Sequence, residues 1–285
     1  MTSIRAATSA ATLALTLLLL AACAAPDRVQ EPETAESPQE PAAPPAEETA
    51  EEEAIEPPEP APESPPELGS ADEPFVAYGQ EPGWMLRMDG ERMRLLADYG
   101  RVELTAAQPR PEATDAALRY VAETEDGREL EVVVEPELCA DVATGMPHPY
   151  RVGYQLDGAR HQGCGGDPRA LLTDGGWRIV AIDGAAPEAI VTLGFDGEGR
   201  VFGQAPCNRY TGGYRLTGER ILFSGLAATR MACQDAGRAE AEQTFLKVLG
   251  QVHFLYMPDA DRLRLMTADG HRLEAVRTDN APLEP

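Results

Sequence analysis

The sequence has few basic residues. Its 24 Lys and Arg stand against 48 Asp and Glu in 285 residues, giving a formal net charge of −24 at pH 7. Nucleic-acid binding needs basic patches that neutralise phosphates, and charge-driven adsorption to anionic lipid needs clustered Lys or Arg. The composition therefore argues against nucleic acid as a partner and against membrane contact through charge alone.

Common catalytic signatures are also missing. The sequence has no Gly-x-Ser-x-Gly elbow, no phosphate-binding loop and no His-Glu-x-x-His motif. Carboxylates are so abundant that a pair of them carries no catalytic signal. We therefore expect no catalytic residue, no cofactor and no metal site.

The first 22 residues have the pattern of a signal peptide. Arg5 precedes an apolar stretch over residues 10–20, which is too short for an ordinary membrane span. Leu20-Ala21-Ala22-Cys23 then resembles the lipobox of bacterial lipoproteins, in which the cysteine thiol accepts a lipid. An ordinary secretory signal with an incidental cysteine is the alternative. Ala24 stands where an inner-membrane retention signal would have Asp, so the resemblance implies an outer-membrane anchor with the folded domains in the periplasm.

Residues 23–72, the lipidated cysteine and the stretch after it, are predicted to form a disordered tether. Residues 24–70 contain 14 acidic residues and one Arg, many Pro and Ala, and almost no large apolar side chain. Such a segment buries too little surface to offset its ordering entropy. It is a passive spacer or, alternatively, an acidic ligand for a basic envelope partner.

Residues 73–168 are predicted to form a β-rich domain. Residues 129–134 and 150–156 read as strands, the second with apolar residues at every other position. Asp-Gly pairs at 89–90, 126–127 and 157–158 indicate tight turns. We see no convincing helix here and expect a small antiparallel barrel or curled sheet.

Three motifs of this unit resemble an uncharacterised domain that precedes a second domain in many proteobacterial envelope lipoproteins. They are Gly79-Gln-Glu-Pro-Gly-Trp84, the stretch from Cys139 to Tyr150, and Gly163-Cys164-Gly-Gly. The middle motif departs mildly, with Ala-Thr at 143–144 where Met-Ser is usual. Trp84 is predicted to be a core residue.

Residues 172–277 are predicted to form an α+β domain, and residues 278–285 a disordered tail. Strands are expected at 176–182, 190–195, 200–202, 209–216, 220–223, 252–257, 262–266 and 272–276. One helix is expected at 238–249, with Ala241, Phe245, Val248 and Leu249 on its apolar face and Gly250 as its stop. The chain as a whole is therefore α+β and mostly β: two small antiparallel sheets, the second with a packed helix.

The centre of this second unit carries a recognisable pattern. Trp177 opens it, Cys207-Asn208-Arg209-Tyr210 follows a Gly-rich turn, and Thr229-Arg-Met-Ala-Cys233 precedes a helix with Glu240 and Glu242. The pattern resembles the META domain, the domain of the heat-shock protein HslJ family. The resemblance implies a fold but no activity that can be transferred.

Four cysteines remain once Cys23 is lipidated: Cys139, Cys164, Cys207 and Cys233. An even count in a secreted chain indicates disulfides, and four cysteines allow three pairings. We predict Cys139–Cys164 and Cys207–Cys233, since each pair stays inside one domain. Zinc held by Cys139, His148, His161 and Cys164 is the rival, although no short Cys-x-x-Cys knuckle is present.

Asn208, Arg209, Tyr210 and Arg230 are the candidate binding residues. Arg209 and Arg230 flank the two ends of one predicted disulfide, so they could converge on an anionic ligand. Alternatively, Asn208 binds turn backbone and an Arg pairs with Glu240 or Glu242.

Three functions are compatible with these features. The first is a non-catalytic envelope lipoprotein that binds a protein or wall component or supports envelope integrity under stress. The second is a periplasmic inhibitor of a wall hydrolase or protease. The third is an enzyme of unknown reaction, which would need a deep pocket with a perturbed acid or base.

Lipidation predicts a simple result. Cells expressing the protein should incorporate labelled palmitate into it, and Cys23→Ser should abolish the label and release the protein from the outer-membrane fraction. The idea is wrong if the wild type takes up no label and the variant still sediments with that membrane.

Overall fold

The computed structural model of the protein describes residues 68–233 and 235–278. The predicted signal peptide, Cys23, nearly all of the predicted tether and the tail beyond residue 278 lie outside these residues. At the two boundaries, Leu68 packs against the core of the first sheet and Thr278 is the last residue of a strand. Among the described residues, no helix is long and apolar enough to cross a bilayer.

The first part of the chain forms a nine-stranded antiparallel sheet. The strands of the sheet are β1 (Phe75–Gln80), β2 (Gly83–Met88), β3 (Arg92–Ala97), β4 (Val102–Ala107), β5 (Glu112–Ala113), β6 (Leu118–Glu123), β7 (Glu129–Glu135), β10 (Tyr150–Leu156) and β11 (Ala159–Gly165). Two short strands, β8 (Cys139–Ala140) and β9 (Pro147–His148), form a separate pair. The order in the sheet is β4-β3-β2-β1-β11-β10-β7-β6-β5. The sheet curls, because the Glu125 backbone N–H donates to the Thr105 carbonyl (2.9 Å) and brings β4 beside the end of β6.

The predicted strands and turns of this sheet are confirmed. The three Asp-Gly pairs join β2 to β3, β6 to β7 and β10 to β11. At the last of these, Asp157 and Gly158 both have positive φ (51° and 81°), the conformation that a two-residue hairpin turn requires. Along β10, Val152 and Tyr154 are buried and their neighbours are not, which matches the period-two pattern.

The first and third motifs of this unit meet at Trp84, which is buried as predicted. Gly79 on β1 and Gly163 on β11 lie against its indole ring, and a Cβ on either glycine would collide with the ring. Cys164 is the next residue on β11, and its disulfide ties the middle motif to the same place. The glycines are therefore needed for close packing around one large side chain.

The second part of the chain forms an eight-stranded antiparallel sheet and carries two helices. Its elements are α1 (Pro168–Thr173), β12 (Gly176–Ile182), β13 (Thr192–Phe195), β14 (Arg200–Gln204), β15 (Arg209–Leu216), β16 (Ile221–Ala228), α2 (Ala236–Gly250), β17 (Val252–Asp259), β18 (Arg262–Thr267) and β19 (Arg272–Thr278). The order in the sheet is β16-β15-β14-β13-β12-β19-β18-β17, and β16 lies against β17, so this sheet also curls. The predicted mostly-β class with a C-terminal helix is confirmed.

Three details of the predicted second unit are wrong. The first is helix α1, which was not predicted and which crosses the expected start of the unit at residue 172. Ile190 is 72% exposed and precedes the strand, which begins only at Thr192. On α2, Ala241 is exposed, and the buried residues are Glu242, Phe245, Val248 and Leu249. The helix thus turns a carboxylate, not a methyl group, toward the sheet.

Each sheet encloses its own hydrophobic core, but the second core borrows residues from the first part of the chain. Met146, from the loop between β8 and β9, is 3% exposed and belongs to the second core, and Leu138 packs against its edge. Trp177 and Phe245 are fully buried in the same core. Residues before the predicted boundary at 168 therefore contribute to packing beyond it.

Each unit has its own cysteine pair and its own strands, so the sequence predicts that the two units fold independently. The packing of Met146 modifies that expectation. Fragments 73–167 and 172–276 should each melt cooperatively, and Met146→Ala in the full chain should destabilise the second unit by about 2–5 kcal/mol, the usual cost of truncating a buried Met. Trp84 and Trp177 are the only tryptophans, one in each unit. Denaturant titrations of Trp84→Phe and Trp177→Phe backgrounds therefore report each unit separately. A shift of the Trp84 signal alone would contradict the assignment of Met146 to the second core.

Candidate functional site

Both cysteine pairs are joined as the sequence analysis predicted. Cys139 and Cys164 are disulfide-bonded with Cα atoms 5.5 Å apart, and Cys207 and Cys233 with Cα atoms 5.8 Å apart. Cys207 lies just before β15, and Cys233 lies in the segment that leads to α2. The second disulfide therefore ties the start of a strand to the approach of the helix.

The alternative zinc site is not formed. Its two thiols are consumed by a disulfide, and His148 uses both ring nitrogens: Nδ1 donates to the Gly166 carbonyl (2.9 Å) and Nε2 accepts from the Tyr78 hydroxyl (2.7 Å). His161 stacks on the ring of Tyr154 at 4.7 Å. No group of three or more His, Cys, Asp or Glu suited to a metal ion occurs in residues 68–233 and 235–278.

The turn next to the Cys139–Cys164 disulfide is organised by a buried carboxylate. Asp141 accepts from Gln80 Nε2 (3.1 Å), the Ala143 N–H (3.1 Å) and both the N–H and the hydroxyl of Thr144 (2.8 Å each). Burial by itself raises the pKa of Asp141, but these hydrogen bonds outweigh burial, and the net pKa is lowered. Burial and the charge of Asp141 raise the pKa of Tyr78. The carboxylate is occupied in holding its own turn.

Asn208 and Glu242 form the centre of the predicted binding region. The Glu242 carboxylate accepts from the Cys207 N–H (3.1 Å), the Asn208 N–H (2.6 Å) and Asn208 Nδ2 (2.9 Å). Asn208 Oδ1 in turn accepts from the Thr229 hydroxyl (2.9 Å) and the Met231 N–H (2.8 Å). One amide side chain therefore links the helix, the start of β15 and the segment after β16.

Tyr210 is a structural residue and not an accessible binding group. It is 3% exposed, its hydroxyl donates to the Thr192 carbonyl (2.8 Å), and its ring meets Phe245 edge-on at 5.4 Å. Burial raises its pKa well above the ordinary value of 10.0, so the hydroxyl stays neutral.

Arg209 and Arg230 lie close in the backbone and are both exposed. The Thr229 N–H donates to the Arg209 carbonyl (2.9 Å), which places Arg230 one residue beyond that contact. Neither guanidinium has an ion pair with any residue that the structure describes. The predicted alternative was an Arg paired with Glu240 or Glu242. It is wrong for Glu242, because backbone and amide N–H groups, and not a guanidinium group, bind the Glu242 carboxylate.

The role of Glu242 was missed by sequence reasoning, although a signal was present. Glu242 precedes Phe245 by three residues and Leu249 by seven, which are the spacings of one helix face. A carboxylate on the apolar face of a helix is buried on folding and therefore needs hydrogen-bond donors, which the Cys207-Asn208 turn provides.

Glu242 yields a stability prediction. Glu242→Ala leaves three buried donors without their acceptor, so the free energy of unfolding of the second unit should fall by about 3 kcal/mol or more. Glu240→Ala, an exposed carboxylate on the same helix, is the matched control and should change it by less than about 0.5 kcal/mol. Denaturant titration of Trp177 fluorescence measures both. Equal effects of the two substitutions would show that the carboxylate does not hold the turn.

Comparison with known proteins finds a family match for the second sheet. Residues 170–280 match the model of the META domain family, whereas no curated protein matches the chain. Among solved structures, a protein from Burkholderia xenovorans studied by NMR is 28% identical over 39% of this chain and 88% of its own, with a TM-score of 0.33. A second NMR structure is 23% identical over 39% and 94%, also at 0.33.

A DUF4847 family protein from Bacteroides vulgatus is 13% identical over 40% of this chain and 99% of its own, with a TM-score of 0.31. The matched range 170–280 includes Trp177, the Cys207–Cys233 disulfide, the Asn208–Glu242 network and α2. The part of this chain that resembles the META domain is therefore the second sheet together with its helix.

Proposed function

We propose that this protein is a non-catalytic lipoprotein of the bacterial cell envelope that binds an envelope component through Arg209, at the start of β15, and Arg230, in the segment after β16. The observation that supports this proposal is the contrast within the site. Asn208, Tyr210 and Glu242 are buried, and their hydrogen bonds hold the local backbone in place. The side chains of Arg209 and Arg230, on the same backbone segments, are exposed.

This contrast favours binding over catalysis. A catalytic acid, base or nucleophile must reach a substrate, and the candidate groups here are buried in hydrogen bonds or consumed in a disulfide. The guanidinium groups of Arg209 and Arg230 instead lie exposed on two segments that the disulfide and a backbone hydrogen bond join, and a pair of charged donors suits a carboxylate or phosphate.

The proposed location of the protein is based on its N-terminal sequence. The lipobox ending at Cys23 would anchor the chain to the outer membrane, and the acidic, proline-rich stretch after it would carry the folded domains into the periplasm. The binding site would then work close to the membrane and the wall, where loss of the protein would weaken envelope integrity under stress.

A capture experiment tests the site. The full lipidated chain, immobilised in detergent, should retain a wall fragment or periplasmic protein that Arg209→Ala/Arg230→Ala releases, with enrichment falling about tenfold. Arg94→Ala/Arg151→Ala removes one exposed and one half-buried arginine from the first sheet and is the charge-matched control. Equal retention by all three proteins would overturn the proposal.

The same capture experiment distinguishes the inhibitor alternative from binding without inhibition. A retained wall hydrolase or protease whose activity falls on binding, and recovers with the Arg209→Ala/Arg230→Ala variant, would make the protein an inhibitor. Turnover of the retained component by the chain itself would make it an enzyme.

A further inference from the structure

The outer side of the second sheet carries a regular array of arginine and aromatic side chains. Along β18 and β19 the core residues alternate with outward ones, and the paired strands bring the outward ones into rows. Three rows cross the sheet: Arg178, Val276 and Arg262; then Glu274, Arg264 and Tyr256; then Arg272, Met266 and Phe254. We call this surface the outer arginine face.

The charge of this face is opposite to that of the chain. Three of its four arginines form side-chain ion pairs with two carboxylates: Asp259 lies 3.6 Å from Arg262, and Glu274 lies 2.9 Å from Arg272 and 3.9 Å from Arg264. A third carboxylate, Asp183, accepts from the Arg272 backbone N–H (2.8 Å). Arg178 is exposed and has no ion pair within the described part of the chain. Local positive charge therefore persists on a protein whose formal net charge is −24.

Apolar surface adjoins these charges. Phe254 and Tyr256 lie on β17, at the end of the strand order, and are 41% and 42% exposed, large values for aromatic side chains on a sheet. The Arg264 guanidinium carbon lies 6.0 Å from the centre of the Tyr256 ring. Aromatic residues, Met and Arg are the types enriched where proteins bind one another, and Lys is depleted there. Lys247, on α2, is the only lysine of the sequence.

We infer that the outer arginine face binds a short acidic segment of another protein. Successive rows are two residues apart along each strand, about 6.7 Å, so guanidinium groups in different rows can each take a carboxylate bidentately, while Phe254 and Tyr256 cover an apolar residue of the same segment. The overall negative charge of the chain argues against a long polyanion as the partner of this face. A membrane surface or a nucleic acid would extend beyond the face and meet the acidic remainder, whereas screening over about 8 Å shields a short segment from it.

This surface is distinct from the region of Arg209 and Arg230, and the inference does not depend on the function proposed for those residues. The described residues of β17, β18 and β19 alone form most of it. Its partner is recognised by alternating acidic and apolar side chains, a chemistry different from that of a single anion between two guanidinium groups.

The test uses the full chain in detergent and a fluorescein-labelled peptide that repeats Glu-Glu-Leu four times. Fluorescence anisotropy should show saturable binding that weakens as NaCl rises from about 0.05 to 0.5 M. Arg178→Gln/Arg262→Gln/Arg264→Gln should weaken it about tenfold or more. Arg94→Gln/Arg151→Gln/Arg160→Gln, which removes the same charge from the first sheet, should leave it unchanged. The matching Gln-Gln-Leu peptide should not bind.

A second variant tests the apolar part without altering charge. Phe254→Ala/Tyr256→Ala should also weaken binding several-fold, and circular dichroism melts of every variant show whether the sheet remains folded. The inference is overturned if both triple arginine variants bind equally, or if no peptide binds. It is also overturned if the face instead holds vesicles of anionic phosphatidylglycerol, with that binding lost in the Arg178, Arg262 and Arg264 variant.

Discussion

The carboxylate of Glu242 fixes the geometry on which the second sheet depends. It is buried on α2, where an ionised group is tolerated only if hydrogen bonds replace its lost water. The N–H groups of Cys207 and Asn208 and the Asn208 amide supply those bonds, so the turn must approach the helix at one position. The disulfide and the contacts of Asn208 Oδ1 then bring in the segment after β16.

A second charged group of this unit, Arg277, also binds backbone groups. The Arg277 guanidinium lies 4.5 Å over the Trp177 ring and donates to the carbonyls of Leu171, Asp174 and Ala260. Trp177 in turn donates from Nε1 to the Leu172 carbonyl (3.1 Å). Helix α1 and the hairpin before β18 are thereby joined to β12 and β19, and Arg277 has no freedom to bind a partner.

These two clusters show which charged groups hold the structure together and which remain exposed for binding. Glu242 and Arg277 satisfy backbone groups and are mostly buried. Arg209 and Arg178 lie on the surface, and neither has an ion pair within the described residues. A rigid, disulfide-linked scaffold that keeps some guanidinium groups exposed suits recognition, because little order is lost when a ligand binds.

The sequence by itself predicted the cysteine pairing, helix α2, most strands of the second unit, and two strands and three turns of the first. It did not predict helix α1 or the other strands of the first sheet. Asp-Gly turns, alternation along β10 and the apolar spacing of α2 are local features, readable because each depends on neighbours in the chain. Only the tertiary structure decided that Met146 enters the second core, that Glu242 and not Ala241 faces the sheet, and that Asn208 bridges three segments. It also aligned Arg178, Arg262 and Arg264 on one face. Such contacts join residues far apart in sequence, and the register of strands that sets them follows from the packing of the whole sheet.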